Sequence, residues 1–208
     1  MKQDRLRSAD LTFQPVTLDT WDDMQRLFGE PGAQNGCWCM YWRQTRAEYR
    51  EGFGERNRQA MAQIIASGKV PGILAYHNGH PIGWCSIAPR EDFGSLERSR
   101  TLKRIDDKPV WSIVCFAISR PYRGRGVSRA LIDAAIDYAR ENGAAIVEAY
   151  PLTPEAARDA PYDQYMGIMS TLEAAGFREV ARRSDRRAIL RYYIGAGESA
   201  DGPDDAQP

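Results

Sequence analysis

The sequence predicts a mixed α/β domain: a mostly antiparallel sheet of about six to seven strands, with flanking helices and one βαβ unit at its centre. Three observations predict it. Asn78 and Gly79 separate two apolar runs, and both residues accept positive φ, the strongest short signal for a hairpin. The run 110–118, VWSIVCFAI, is nearly all apolar, as suits a central strand buried on both faces, and a glycine-arginine turn and a helix follow it. Residues 178–183 and 188–194 form a closing hairpin around Ser184 and Asp185.

Taken in order, 11–16 alternates apolar and polar residues and reads as a first strand. Asp19 or Thr20 caps a helix running to about Phe28, which the glycines at 29 and 32 end. The segment 36–43, GCWCMYWR, is dense in aromatics and has no period. A second helix is expected over 55–67, with Met61, Ile64 and Ile65 on one face. Strands at 72–77 and 81–88 flank the Asn-Gly turn, which places His77 and His80 opposite each other. Residues 90–108 are charged and carry no assignment.

After the central strand, Val127, Ala130, Leu131, Ala134, Ala135 and Tyr138 fall at helical spacing, and Asn142 with Gly143 ends that helix. A strand at 145–150 completes the βαβ unit, with the right-handed crossover such units adopt. Residues 165–175 read as a further helix stopped by Gly176. One domain is expected over 1–194, and a disordered tail over 195–208, where glycine, proline and acidic residues leave little to bury.

Lysine plus arginine and aspartate plus glutamate are 28 each, so no net charge draws the chain to nucleic acid or to an anionic membrane. The polar start lacks the apolar stretch of a secretion signal, and no run spans a bilayer, so a cytoplasmic protein is expected. Cys85 and Cys115 lie in strand-like runs and read as buried free thiols of a reducing compartment. Cys37 and Cys39 with His77 and His80 would make four ligands. The spacing is too tight for a usual zinc pair and the histidines flank a turn, so no metal is expected.

The turn Arg123, Gly124, Arg125, Gly126, Val127, Ser128 follows a buried strand and opens a helix. Such a turn gathers free backbone N–H groups, and with the helix dipole it binds anions, pyrophosphate above all. Neither G-x-G-x-x-G nor the Walker pattern G-x-x-x-x-G-K-[ST] is present. The turn resembles R-x-x-G-x-[GA], the acyl-CoA pyrophosphate motif of the GNAT superfamily of N-acetyltransferases, with Ser128 in the last small position. The likeness extends over about residues 70–194 and includes Gly176 and Phe177, which resemble the family's closing G-F.

The resemblance implies a GNAT-like sheet whose central βαβ unit binds acetyl-CoA. In that family the strand before the loop is splayed from its neighbour and takes the pantetheine arm. The matching positions are Phe116, Ala117 and Ile118, with a backbone N–H near Phe116 and Ala117 as oxyanion donor. The acceptor implied is an amine of a small molecule or peptide, and a homodimer is compatible with folds of this kind. The family's usual tyrosine acid falls at Leu172, a departure, so Tyr165 or Tyr162 is the candidate proton donor to the leaving thiolate. Glu148, Asp106 and Asp107 are the candidate bases acting through water. Trp38, Tyr41, Trp42 and Arg43 either line the acceptor pocket or, through Trp38 and Trp42, anchor their segment to the core. Leu172 keeps open the alternative of a non-catalytic acyl-CoA-binding or sensing module. An RNA-binding use of the arginine-glycine turn is disfavoured by the absent net charge.

Overall fold

The computed structural model describes residues 4–30 and 32–195. Seven strands form one sheet: β1 (Leu11–Pro15), β2 (Ile73–His77), β3 (His80–Pro89), β4 (Trp111–Ile118), β5 (Ile146–Ala149), β6 (Arg178–Ala181) and β7 (Ile189–Tyr193). Their order is β1-β2-β3-β4-β5-β7-β6. Every neighbouring pair is antiparallel except β4 and β5. All seven expected strands are present within a residue or two of their predicted ends. The Asn-Gly hairpin forms as its residues dictate, with Asn78 at φ 51° and Gly79 at φ 75°.

The helices are α1 (Trp21–Phe28), α2 (Arg46–Glu51), α3 (Glu55–Ala66), α4 (Gly94–Glu97), α5 (Val127–Glu141), α6 (Pro154–Asp159) and α7 (Met169–Ala174). The apolar stripe of α5 (Val127, Leu131, Ile132, Ala135, Ile136, Ala139) covers one face of the sheet and joins Leu172 and Phe177 in a single core. The other face is covered by α1, α3 and the segment 36–43 around Trp84. Beyond them lies a third cluster of Trp42, Phe93, Leu96, Val114, Tyr150 and Met166.

One expectation needs correction, and one unassigned stretch gains structure. The helix expected over 165–175 is two pieces, a 3-10 stretch Pro161–Met166 and α7, parted at Gly167, whose φ is 105°. A side chain at 167 would come 3.1 Å from Leu172 and 3.3 Å from Phe116, so the break packs tightly over β4. The charged stretch after β3 holds α4 and a 3-10 turn (Arg90–Asp92), pinned by Arg90. The expected tail lies outside the described residues from 196 on.

Candidate active site

Strand β4 pairs with β5 through only three residues, Trp111, Ser112 and Ile113. Past Ile113 the two strands part. The pairing of β4 with β3 slips by one residue at the same place: Ile113 faces Ile87, Cys115 faces Ser86, and Val114 is the extra residue of a bulge. Val114 and Cys115 therefore both point to the face opposite α5. Residues 115–118, central in the sheet, are only half-buried, as an opened strand requires.

The phase of the ladder decides which peptide groups face the opening. The Ser119 N–H donates to the Ile82 carbonyl at 2.9 Å, next to the pair Gly83 and Ile118. In an antiparallel ladder this turns the peptide groups of Cys115 and Ala117 toward β3, and those of Phe116 and Ile118 toward the edge that β5 has left. Arg123 Nε occupies the Ile118 carbonyl at 2.9 Å. The Phe116 peptide is thus the member of the predicted set with both groups on the open edge, while Ala117 contributes its place on β4 rather than its backbone polar groups.

The turn after β4 has the conformation its glycines permit. Gly124 (φ 72°) and Gly126 (φ 89°) are both left-handed, a region costly for side chains with a Cβ. Gly126 is the N-cap of α5 and supplies no side-chain cap, so the N–H groups of Val127 and Ser128 open the helix without a side-chain acceptor. Arg123 is exposed and Arg125 half-buried, its guanidinium 5.5 Å from the Tyr122 ring centre. Neither forms an ion pair among the described residues. Helix N-terminus, bare backbone and two guanidinium groups gather the donors and positive charge that suit an anion.

On the face opposite α5, Tyr165 is half-buried against the third cluster, beside Tyr41 and Cys115. The Arg187 guanidinium lies 5.6 Å from its ring centre. Arg187 donates to the carbonyls of Tyr150 (3.0 Å) and Asp163 (3.3 Å). Burial pushes the Tyr165 phenol well above its ordinary range, so it keeps its proton at neutral pH. Leu172 is fully buried in the core on the α5 side. Tyr165 and Leu172 therefore belong to different faces of the sheet, and two turns of one helix do not relate them. Tyr162 lies in the same 3-10 stretch as Tyr165, and its side chain is outside the described set.

Glu148 does not have a base's surroundings. It is 2% exposed. Its Oε1 accepts from Arg191 Nε at 2.8 Å, and its Oε2 from Arg90 at 3.1 Å and the Tyr150 hydroxyl at 2.7 Å. Both oxygens are engaged by guanidinium groups, in an ion pair that locks β5 to β7 and to the segment after β3. Asp106 receives two bonds from Arg191, at 2.6 and 2.8 Å. Those bonds bring its pKa down to about 2. Asp107 is exposed.

In the aromatic segment, Trp38 is buried between Trp21 (5.7 Å) and Phe28 (5.5 Å), and it lines no open surface. It is a core anchor, reached through an unusual backbone, with Trp38 at φ 43° and Cys39 at φ 59°. Trp42 is buried too, but its indole N–H has no partner among the described residues. Tyr41 is half-buried and stacks edge-on with Trp42 and Tyr49. The Arg43 guanidinium packs 4.4 Å from the Phe93 ring centre and donates to the Pro71 carbonyl. Of the four expected acceptor residues, Tyr41 packs with Tyr165 against the third cluster, Trp42 is buried in that cluster, Arg43 is half-buried against Phe93, and Trp38 belongs to the second cluster. Sequence reasoning missed Arg187, which sits in an irregular loop without a pattern to flag it.

The four cysteines are free. The Trp84 indole N–H donates to Cys39 Sγ at 3.2 Å. No group of three or more metal-ligating side chains is assembled among the described residues, and no helix among them is long and apolar enough to cross a membrane.

The profile of the acetyltransferase (GNAT) family matches residues 36–167. No protein of curated function matches the sequence. Among solved structures the chain is similar to an agmatine N-acetyltransferase mutant in its apo form (TM-score 0.55, 10% identity, covering 89% of this chain and all of that one). It is also similar to a candidate acetyltransferase from Salmonella typhimurium solved with its cofactor acetyl-CoA (0.52, 13%, 93% and 99%). A ribosomal-protein-alanine N-acetyltransferase from Brucella melitensis is a third (0.51, 14%, 88% and 99%). At these identities the likeness is one of fold.

Proposed function

The chain belongs to the acetyltransferase (GNAT) family, and on that premise we propose that it is an N-acetyltransferase that moves an acetyl group from acetyl-CoA to an amine of a small molecule or peptide by direct attack. The observation that carries the reading is the parting of β4 from β5 directly before a two-glycine helix N-terminus. One end of that opening suits an extended amide chain and the other a diphosphate, which is the layout of acyl-CoA. Bound there, acetyl-CoA supplies a thioester-activated acyl group.

Each residue then has a task its surroundings support. Backbone N–H groups of residues 124–128, with Arg123 and Arg125, hold the diphosphate. The Phe116 peptide, facing the open edge, offers a carbonyl and an N–H to the acyl arm, and that N–H is the candidate oxyanion donor. Tyr165 stays protonated, and a buried phenol of raised pKa acts by donating a hydrogen bond to sulfur as charge develops, since full transfer would run uphill. Glu148 and Asp106 are both held by Arg191, so the acceptor is best supplied as its neutral fraction, its proton passing to solvent. Tyr41 and Arg187 flank Tyr165 on the face away from α5, which is where the acceptor is proposed to enter. The free thiols suit a reducing, cytoplasmic setting.

The fold serves enzymes named for agmatine and for a ribosomal-protein alanine, so both small amines and peptide termini belong in the test. The protein is incubated with acetyl-CoA and an amine library while free thiol is read. Thiol release that depends on the amine supports transfer. Tight acetyl-CoA binding with no release by any amine supports the alternative module, which Leu172 in place of a family tyrosine favours.

A further inference from the structure

We propose that Arg5 is a further phosphate-binding residue of the cofactor site, delivered by a strap of residues 4–7 that crosses the loop before α5; this rests on that loop holding the diphosphate of acyl-CoA. The strap is pinned on both sides of Arg5. The Leu6 N–H donates to the Arg125 carbonyl at 3.0 Å, and Arg125 Nε donates to the Asp4 carbonyl at 3.0 Å. The Leu6 side chain packs on the α5-side core, which fixes the strap's depth. Between these anchors the Arg5 side chain lies over the bare face of Gly126. A Cβ there would meet Arg5 Nε at 3.1 Å and Cγ at 3.3 Å.

This is a poor place for a lone cation. A helix N-terminus carries partial positive charge, and it repels guanidinium as it attracts phosphate. Arg5, Arg123 and Arg125 make three positive groups around the start of a 15-residue helix, and none has a carboxylate partner among the described residues. Two positions further along the same strap, Arg7 is paired with Asp10 at 2.8 Å. The chain thus neutralises one strap arginine and leaves the other facing the cradle. A diphosphate, with two negative charges, resolves that imbalance, and Arg5 Nε and its terminal nitrogens supply donors that backbone N–H groups alone do not.

The test is calorimetric titration of the full chain with CoA and with dephospho-CoA, for the parent, Arg5→Ala and Arg7→Ala. Arg5 is exposed, so its truncation leaves the core intact, and equal melting temperatures confirm it. Expected is a loss of affinity of roughly tenfold in Arg5→Ala, equal for both ligands because both keep the diphosphate, and a shallower dependence on salt. Arg7→Ala binds as the parent does. Unchanged binding in Arg5→Ala makes the strap structural, and tighter binding makes it a cover over the loop; either overturns the proposal. A loss confined to CoA would place Arg5 at the 3′-phosphate rather than the diphosphate, and overturns the proposal as well. If the parent itself binds neither ligand, the cofactor reading fails and this inference falls with it.

Discussion

Replacing Gly126 by aspartate puts a tethered anion into the cradle. Gly126 sits at φ 89°, and an L side chain in that region costs about 1–2 kcal/mol. Set against this, a carboxylate at a helix N-terminus contributes about 0.3–1 kcal/mol, and the nearest obstacle is the movable end of Arg5. The fold should therefore lose about 1 kcal/mol, a fall in melting temperature of about 2–4 °C. Binding should suffer far more. If the carboxylate takes two donors from the diphosphate, at about 1.5–3 kcal/mol each, CoA loses at least about 3 kcal/mol, a weakening of about a hundredfold. Gly124→Ala is the control: φ there is 72°, a Cβ meets nothing within 4 Å, and the strain comes without the charge. Calorimetric titration with CoA, beside thermal melts, reads both quantities. A Gly126→Asp protein that melts near the parent and binds CoA within threefold of it would refute the assignment of this loop to the diphosphate.

Three further outcomes follow from the same geometry. Glu148→Gln should destabilise the fold by about 1–3 kcal/mol in chemical denaturation, because it removes the carboxylate shared by the buried Arg90 and Arg191, which keep Glu97 and Asp106 as partners; a variant as stable as the parent but without turnover would restore Glu148 as a base. Asp106→Asn should lower stability at neutral pH, with the difference from the parent present above the unfolded pKa near 4 and vanishing as pH falls through about 2, since Arg191 holds the folded pKa down; a difference that persists in full at pH 2 would contradict that pairing. Tyr165→Phe should keep CoA affinity and lose turnover about a hundredfold, and full turnover would leave Tyr165 a packing residue.

Much of the scaffold was legible because its signals are local. Alternation marks β1, the unbroken apolar run marks β4, and Asn78 with Gly79 fixes the β2–β3 turn. The helix α2 could have been read from Thr45 and Glu48, whose capping box is present. Other features are not local. The guanidinium partners of Glu148 lie 58 and 43 residues away, so a strand carboxylate looked available when it was already bound. Tyr165 and Leu172 fall within the one helix expected over 165–175, and the break at Gly167 sends the two to opposite faces. The dense aromatics of 36–43 were informative about burial but not about side: left-handed residues at 38 and 39 turn Trp38 inward, and no periodicity encodes that. The strap over the loop joins Arg125 to a residue 121 positions earlier, beyond any pattern.

The parted strands and the glycine loop are proposed to form an acyl-CoA site. Thermal melting of the full chain with and without acetyl-CoA tests it most directly, because a ligand that binds only the folded state raises the midpoint by mass action. At a hundred times Kd the gain is about 2.7 kcal/mol, which for a chain of this size means a rise of about 5–10 °C. That rise, reproduced by CoA and abolished in Gly126→Asp, is the predicted result. An unchanged midpoint at millimolar acetyl-CoA would contradict the account.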